Sequence, residues 1–196
     1  MMGLDRPDDQ RPVAMVDESY RMVVGGLYVM AAAVAVSREV ETIRHQLRQV
    51  PPQRKKHFHW VDESAALREK MLCVIEGLNL SHVVVAAIPV NRRRQTRARG
   101  ICLNRLMWEL HHRGVEHVML ESRGDQDTQD RRVIGGLRNR GVIPRTMTFE
   151  FGTKQDPELW VPDAVAGAVA TDRCDGDSHF VDLLTDLVTI VLPEAV

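Results

Sequence analysis

Residues 83–88, Val-Val-Val-Ala-Ala-Ile, form an unbroken apolar run in which neither alternating face carries a polar side chain. A strand of that kind is stable only when both of its faces are covered, so it belongs at the centre of a sheet packed between layers of helices. The chain has 196 residues, 44% of them apolar, which suffices for one compact domain with a sizeable core and leaves a second full domain without material.

The rest of the pattern alternates strand and helix. Residues 1–12 are polar and read as a disordered lead-in, with a single domain over 13–196. Residues 13–20 and 23–36 read as an antiparallel pair of strands, the second despite an alanine run that also suits a helix. Ser37 is placed to cap a helix carrying Val40, Ile43 and Leu47 at helical spacing and stopped by Pro51-Pro52. A brief strand is expected at 57–61, then a helix opened by Asp62 or Ser64 with Leu67, Met71, Val74 and Ile75 inward. After the strand at 81–90, Ile101, Leu103, Leu106, Met107 and Leu110 mark a helix that stops at Gly114 and feeds a strand to Glu121. Asp130 is placed as the N-cap of the next helix, 146–151 alternates as a strand, and Pro162 suits the start of a helix over 163–171. The apolar stretch 180–192 is expected as a terminal helix, free to serve a core or a dimer interface. The sum is an α/β fold with a mixed sheet flanked by helices.

Charge gives local information only. Lys+Arg number 26 against Asp+Glu 27, so affinity for nucleic acid must come from patches. Two exist, at 54–57 and at 92–99, the second containing Arg92, Arg93, Arg94, Arg97 and Arg99; each suits either a phosphate-facing surface or a solvated helix end. Cys73, Cys102 and Cys174 have neither zinc-knuckle nor disulfide spacing, which points to a reducing compartment. No apolar segment is long enough for a signal peptide or a membrane span, so a cytoplasmic protein with no membrane partner is expected.

Three acids sit at the ends of apolar runs: Asp17 after Val-Ala-Met-Val, Glu121 after His-Val-Met-Leu, and Asp163 within Leu-Trp-Val-Pro-Asp-Ala-Val-Ala-Gly-Ala. Carboxylates there stand at the edge of a buried sheet, and three converging on one point make a site for a hard cation such as Mg²⁺ or Mn²⁺. Each has a plainer reading. Asp17-Glu18-Ser19 suits a turn, Glu121 suits a pair with Arg123, and Asp163 suits a helix dipole. His57 and His59 share one side of a short strand and could bind a metal or polarise a water, though such a pair is more often a plain surface feature, while His111-His112 fit a helix end. Trp108 falls on an apolar helix face and Trp160 beside the cleft near Asp163.

The opening Val-Asp-Glu-Ser, the later Leu-Glu-Ser-Arg and the Leu-Trp-Val-Pro-Asp segment together resemble the family known as domain of unknown function 3800, a branch of the ribonuclease H-like superfamily. That resemblance spans about 13–192. It implies Asp17, Glu121 and Asp163 as a catalytic, metal-holding cluster, with Glu18, Asp130 and Glu63 in support; His59 joins them as a supporting candidate from its place on the short strand alone. The implied activity is metal-dependent hydrolysis of RNA or DNA, with a homodimer or a partner protein also compatible. The competing expectation is a catalytically inactive binding or regulatory module on the same fold, as part of a mobile-element or defence system.

Overall fold

The protein is described by a computed structural model that covers residues 7–21, 26–51, 56–88 and 92–193. The expected lead-in at 1–6, the turn at 22–25, residues 54–55 of the first basic patch and the side chain of Arg92 lie outside the described residues. Residues 8–12 are tied to the body: Asp8–Gln10 forms a 3-10 turn, and Ser37 donates through Oγ to the carbonyl of Asp8 at 2.6 Å.

Among the described residues, six strands form one sheet and five α-helices accompany it. They are β1 (Pro12–Arg21), β2 (Leu27–Val36), α1 (Val40–Arg48), α2 (Ala65–Glu76), β3 (Ser81–Ile88), α3 (Gln95–His112), β4 (His117–Glu121), α4 (Asp127–Asn139), β5 (Thr148–Gly152), α5 (Trp160–Asp175) and β6 (Leu187–Pro193). Strand order is β5-β4-β1-β2-β3-β6, with β2 antiparallel to both neighbours and every other pairing parallel.

The period-2 alternation of the strands sorts the core into two layers. Met15, Val29, Ala31, Ala33, Val84 and Ala86 pack towards α1, α2 and α5. Ala14, Val16, Tyr28, Met30, Val83 and Val85 pack towards α3 and α4. The apolar run at 83–88 is therefore covered on both faces, as its composition requires. No helix among the described residues is long and apolar enough to cross a membrane.

Two elements differ from the sequence expectation. Residues 57–61 form no strand; Trp60–Asp62 is a 3-10 turn anchored by a buried indole. Residues 180–192 form no helix; after a 3-10 turn at Val181–Leu183 the chain runs as β6 against β3, with Val83 beside Val188 and Ala87 beside Leu192. Leu-Val-Thr-Ile-Val-Leu is mostly β-branched, which disfavours a helix, and β3 offers a row of backbone groups that must be paired. The proposed helical dimer face disappears with that helix. Smaller differences lie at the caps. Ser37 opens a 3-10 turn and makes no side-chain cap, whereas Ser64 does cap α2, accepting from Leu67 N at 3.4 Å.

Beside β6, His82 is buried, and its Nδ1 has no hydrogen-bond partner. Burial pushes its pKa down from 6.5 to about 4. The folded protein thus holds this imidazole neutral where the unfolded chain would bind a proton, so stability is intact above pH 6.5 and is lost as pH falls towards 4. The total is about 3 kcal/mol at about 1.4 kcal/mol per pH unit. Urea titrations from pH 4 to 7 should show a shallower acid decline for His82→Asn than for the wild type; parallel declines would refute the assignment.

Candidate active site

The parallel register that sets Val16 of β1 beside Leu120 of β4 brings the next residues, Asp17 and Glu121, level where the pairing of β1 with β4 ends. Both follow the Met15 and Met119 side of the sheet, the side covered by α5. Asp163 lies in the first turn of α5, on the same side. Pro162 precedes it there at no cost, because first-turn amides have no intrahelical partner. α5 can approach closely because Ala164, Ala166, Gly167, Ala168 and Ala170 are small, and every residue from Trp160 to Thr171 is buried.

Asp17 and Asp163 are 6% and 7% exposed. The Asp17 carboxyl accepts from the Glu18 backbone N–H at 2.7 Å. Burial pushes the Asp17 pKa well above the usual carboxylate range, and the charges of Glu18, Glu121 and Asp163 add to the effect. Asp163 Oδ2 accepts from Trp60 N at 2.8 Å and lies 3.3 Å from His59 Nδ1. The bond to Asp163 raises the His59 pKa above 6.5, against the opposing effect of burial. Lys154, just beyond β5, places Nζ 4.0 Å from Glu121 Oε1.

These groups line a cleft of about 360 Å³ formed by Asp17, Glu18, His59, Glu121, Ser122, Arg123, Gln126 and Lys154. A narrow recess of about 10 Å³ continues past Phe58 and Trp160 to Asp163. Among the described residues, no three His, Cys, Asp or Glu side chains are already drawn together as a cation's shell. The donor set nevertheless suits a hard cation. It offers carboxylate oxygens, and at Asp17 burial disfavours the negative charge that a cation would offset.

The turn carrying His59 is held rigidly. Trp60 packs edge-on against Phe180 with ring centroids 5.1 Å apart, and Arg68 donates from Nε to the Trp60 carbonyl at 2.8 Å. A Cβ built on Gly167 would fall 2.2 Å from Trp60 Cγ, so α5 needs glycine there. Overpacking of this kind costs about 1–3 kcal/mol. Gly167→Ala should lower Tm by at least a few degrees and pull the His59–Trp60 turn from Asp163, seen as a red-shifted tryptophan emission; an unchanged spectrum and Tm would show that the contact relaxes freely.

Other expected site residues lie elsewhere. Asp130 is not an N-cap, since α4 begins at Asp127; it is 1% exposed and binds Arg99. Arg99 is 4% exposed, donates to both Asp130 oxygens and pairs with Glu18, so it belongs to the interior and not to a phosphate-facing surface. Its place on the inward face of α3, one turn after the exposed Arg94 and Gln95–Arg97 turn, is the reason. Arg93, Arg94 and Arg97 are exposed, and Arg92 falls in the 3-10 turn Arg92–Arg94. Glu63 is buried before α2, where its charge acts on Arg68. Trp108 is 38% exposed and stacks on His112 at 3.9 Å, so it is not core. Lys154, Arg123, Ser122 and Gln126 were not singled out from sequence for the cleft; the only signal was their closeness to Glu121 and to the end of the fifth strand.

A mixed sheet in which a central antiparallel strand separates parallel neighbours has matches among solved structures. A mutant of Bst-RNase HIII matches with a TM-score of 0.58 at 17% identity, over 89% of this chain and 56% of that one. The fold is ribonuclease H-like. Ribonuclease H2 from Pyrococcus horikoshii OT3 matches at 0.50 and 18% identity, over 84% of this chain and 74% of that one. Bst-RNase HIII in complex with Mn²⁺ matches at 0.51 and 14% identity, over 86% and 56%. The chain thus spans little more than half the length of the Bst enzyme. No protein-family model matches it, and no curated protein does.

Proposed function

We propose that this ribonuclease H-like chain is a metal-dependent nuclease of the domain of unknown function 3800 type, hydrolysing phosphodiesters of RNA or DNA. The observation that carries the reading is that Asp17, Glu121 and Asp163, from β1, β4 and α5 on one side of the sheet, line one narrow recess. The three carboxylates would hold Mg²⁺ or Mn²⁺. Such a cation polarises the phosphoryl oxygen and lowers the pKa of a bound water. Mn²⁺ in the Bst-RNase HIII structure supports that choice of metal.

The chain's own groups supply the rest. Burial and the neighbouring acids raise the Asp17 pKa, so its proton must leave before the carboxylate can act as a ligand, and cation binding strengthens as pH rises. His59, oriented through Nδ1 by Asp163, is held more basic than a free imidazole and is the group in the cleft suited to pass a proton to the departing oxygen. Lys154 balances the acidic cluster and faces the same space as an incoming phosphate would.

Labelled single-stranded, duplex and hybrid RNA and DNA incubated with Mn²⁺, Mg²⁺ or EDTA test the reading. Metal-dependent cutting that disappears in Asp163→Asn supports it and names the substrate class. Binding without cutting under every condition would instead make the chain an inactive module of the same fold.

A further inference from the structure

Glu18 follows Asp17 in β1, so its side chain points to the opposite side of the sheet, towards α3 and α4. There both of its oxygens are engaged. Oε2 pairs with Arg99 Nη1 and Oε1 with Arg123 Nη1, and the Glu18 side chain is 8% exposed. Arg99 is itself fixed by Asp130, which accepts from Nη2 at 2.6 Å and from Nε at 3.0 Å, while Nη1 donates to Tyr28 Oη at 3.2 Å. A cation drawing on Glu18 would have to displace a buried guanidinium that has no other route to solvent.

Arg123 is the outer end of this chain of charges. Its side chain is one-third exposed and lines the cleft with Ser122, Gln126 and Lys154. Its backbone is fixed separately. Asp127, the first residue of α4, accepts from Arg123 N and from Ser122 Oγ, each at 2.7 Å, and Gly124 turns the chain at φ +63°. A guanidinium held from its backbone and from one nitrogen, with the remainder facing a cleft, is preorganised to meet a planar or tetrahedral oxyanion.

We infer that Glu18 is a positioning residue and not a cation ligand, and that it aims Arg123 into the cleft to hold a phosphate of the bound nucleic-acid strand. The proposal deepens the nuclease reading and rests on it for the identity of the oxyanion. Arg99 and Asp130 then serve as the buried mount for Glu18, which explains why the last arginine of a basic cluster is turned inward.

The test is anisotropy of a labelled oligonucleotide in EDTA across a range of salt, alongside the Tm shift produced by Mn²⁺ alone. Arg123→Ala should weaken binding about tenfold and reduce the slope of log Kd against log salt by about one. Arg123→Lys should restore the slope but only part of the affinity. Glu18→Gln should weaken binding in the same direction, and combining it with Arg123→Ala should add nothing further, while its Mn²⁺ shift stays at the wild-type value. If Glu18→Gln does not fold, the replacement of Glu18, Arg99 and Asp130 by Leu, Met and Leu removes the whole buried triad and should give the same loss. An unchanged salt slope in Arg123→Ala, or a lost Mn²⁺ shift in Glu18→Gln, overturns the inference even if the protein cuts. Binding with a changed slope but no cutting upholds the inference and overturns the nuclease reading. No binding by the wild type overturns both.

Discussion

Asp17→Asn should abolish metal-dependent cleavage and at the same time make the protein more stable. Loss of a ligand forfeits several kcal/mol of transition-state stabilisation, and at about 1.4 kcal/mol per factor of ten the rate should fall by about 10³-fold or more. The gain in stability has a separate origin. Burial, with Glu18, Glu121 and Asp163 nearby, raises the Asp17 pKa in the folded state above its unfolded value. A group so shifted contributes fully below the unfolded pKa and loses that contribution as pH rises through the folded one. At neutral pH the wild type therefore carries a buried, mutually repelling carboxyl cluster. Asparagine keeps the acceptor for Glu18 N and cannot ionise. In EDTA at pH 7.5 the variant should melt a few degrees higher, since 1 kcal/mol moves Tm by about 2–4 °C in a chain of this size. The difference should shrink towards pH 4, and added Mn²⁺ should reverse the order by stabilising only the wild type. A variant that melts below the wild type in EDTA would show that the cluster contributes stability and was not assembled at a cost to it.

How much of this was legible in the sequence depends on whether a residue's setting is local. The strand at 12–21 and the helix over 95–112 follow from apolar period and that at 81–88 from an unbroken apolar run that needs both faces covered, whereas the alanine run within 27–36 suited a helix as well. Residues 180–192 were misread because a short apolar run has no period of its own; the free edge of β3, a tertiary feature, decided for a strand. The turn at Trp60–Asp62 was misread for a related reason. Its anchor is a contact between Trp60 and Gly167 more than a hundred residues away.

The acids divide in the same way. Asp17, Glu121 and Asp163 could be picked out because each ends or interrupts an apolar run, a feature visible in one dimension, and the structure lines one recess with all three. Glu18 and Asp130 carry the same charge and lie nearby in sequence, yet they face the other side of the sheet. Period 2 already placed Glu18 opposite Asp17. What the sequence did not reveal is the cation that meets it there, because Arg99 looks identical to its neighbours in a run of arginines until the face of α3 it occupies is known.

That distinction sets the second large effect. Arg99→Met should cost about 3–5 kcal/mol, since it leaves the buried carboxylates of Glu18 and Asp130 without their shared cation. In Tm the loss is roughly 6–20 °C. Arg97→Ala, two residues earlier but exposed, should stay within about 0.5 kcal/mol. The cost of Arg99→Met should also depend on pH. Buried carboxyls stripped of a cation favour protonation, so the folded variant binds protons more tightly than its unfolded chain and recovers stability as pH falls. Urea denaturation at pH 7.5 and at pH 4.5 should therefore show the gap to the wild type narrowing in acid. Replacing Glu18, Arg99 and Asp130 together with apolar residues of similar volume should recover most of the loss at both pH values, because no buried charge then remains. If Arg99→Met and Arg97→Ala behaved alike, the interior network would be energetically idle and Glu18 would have no mount from which to hold Arg123.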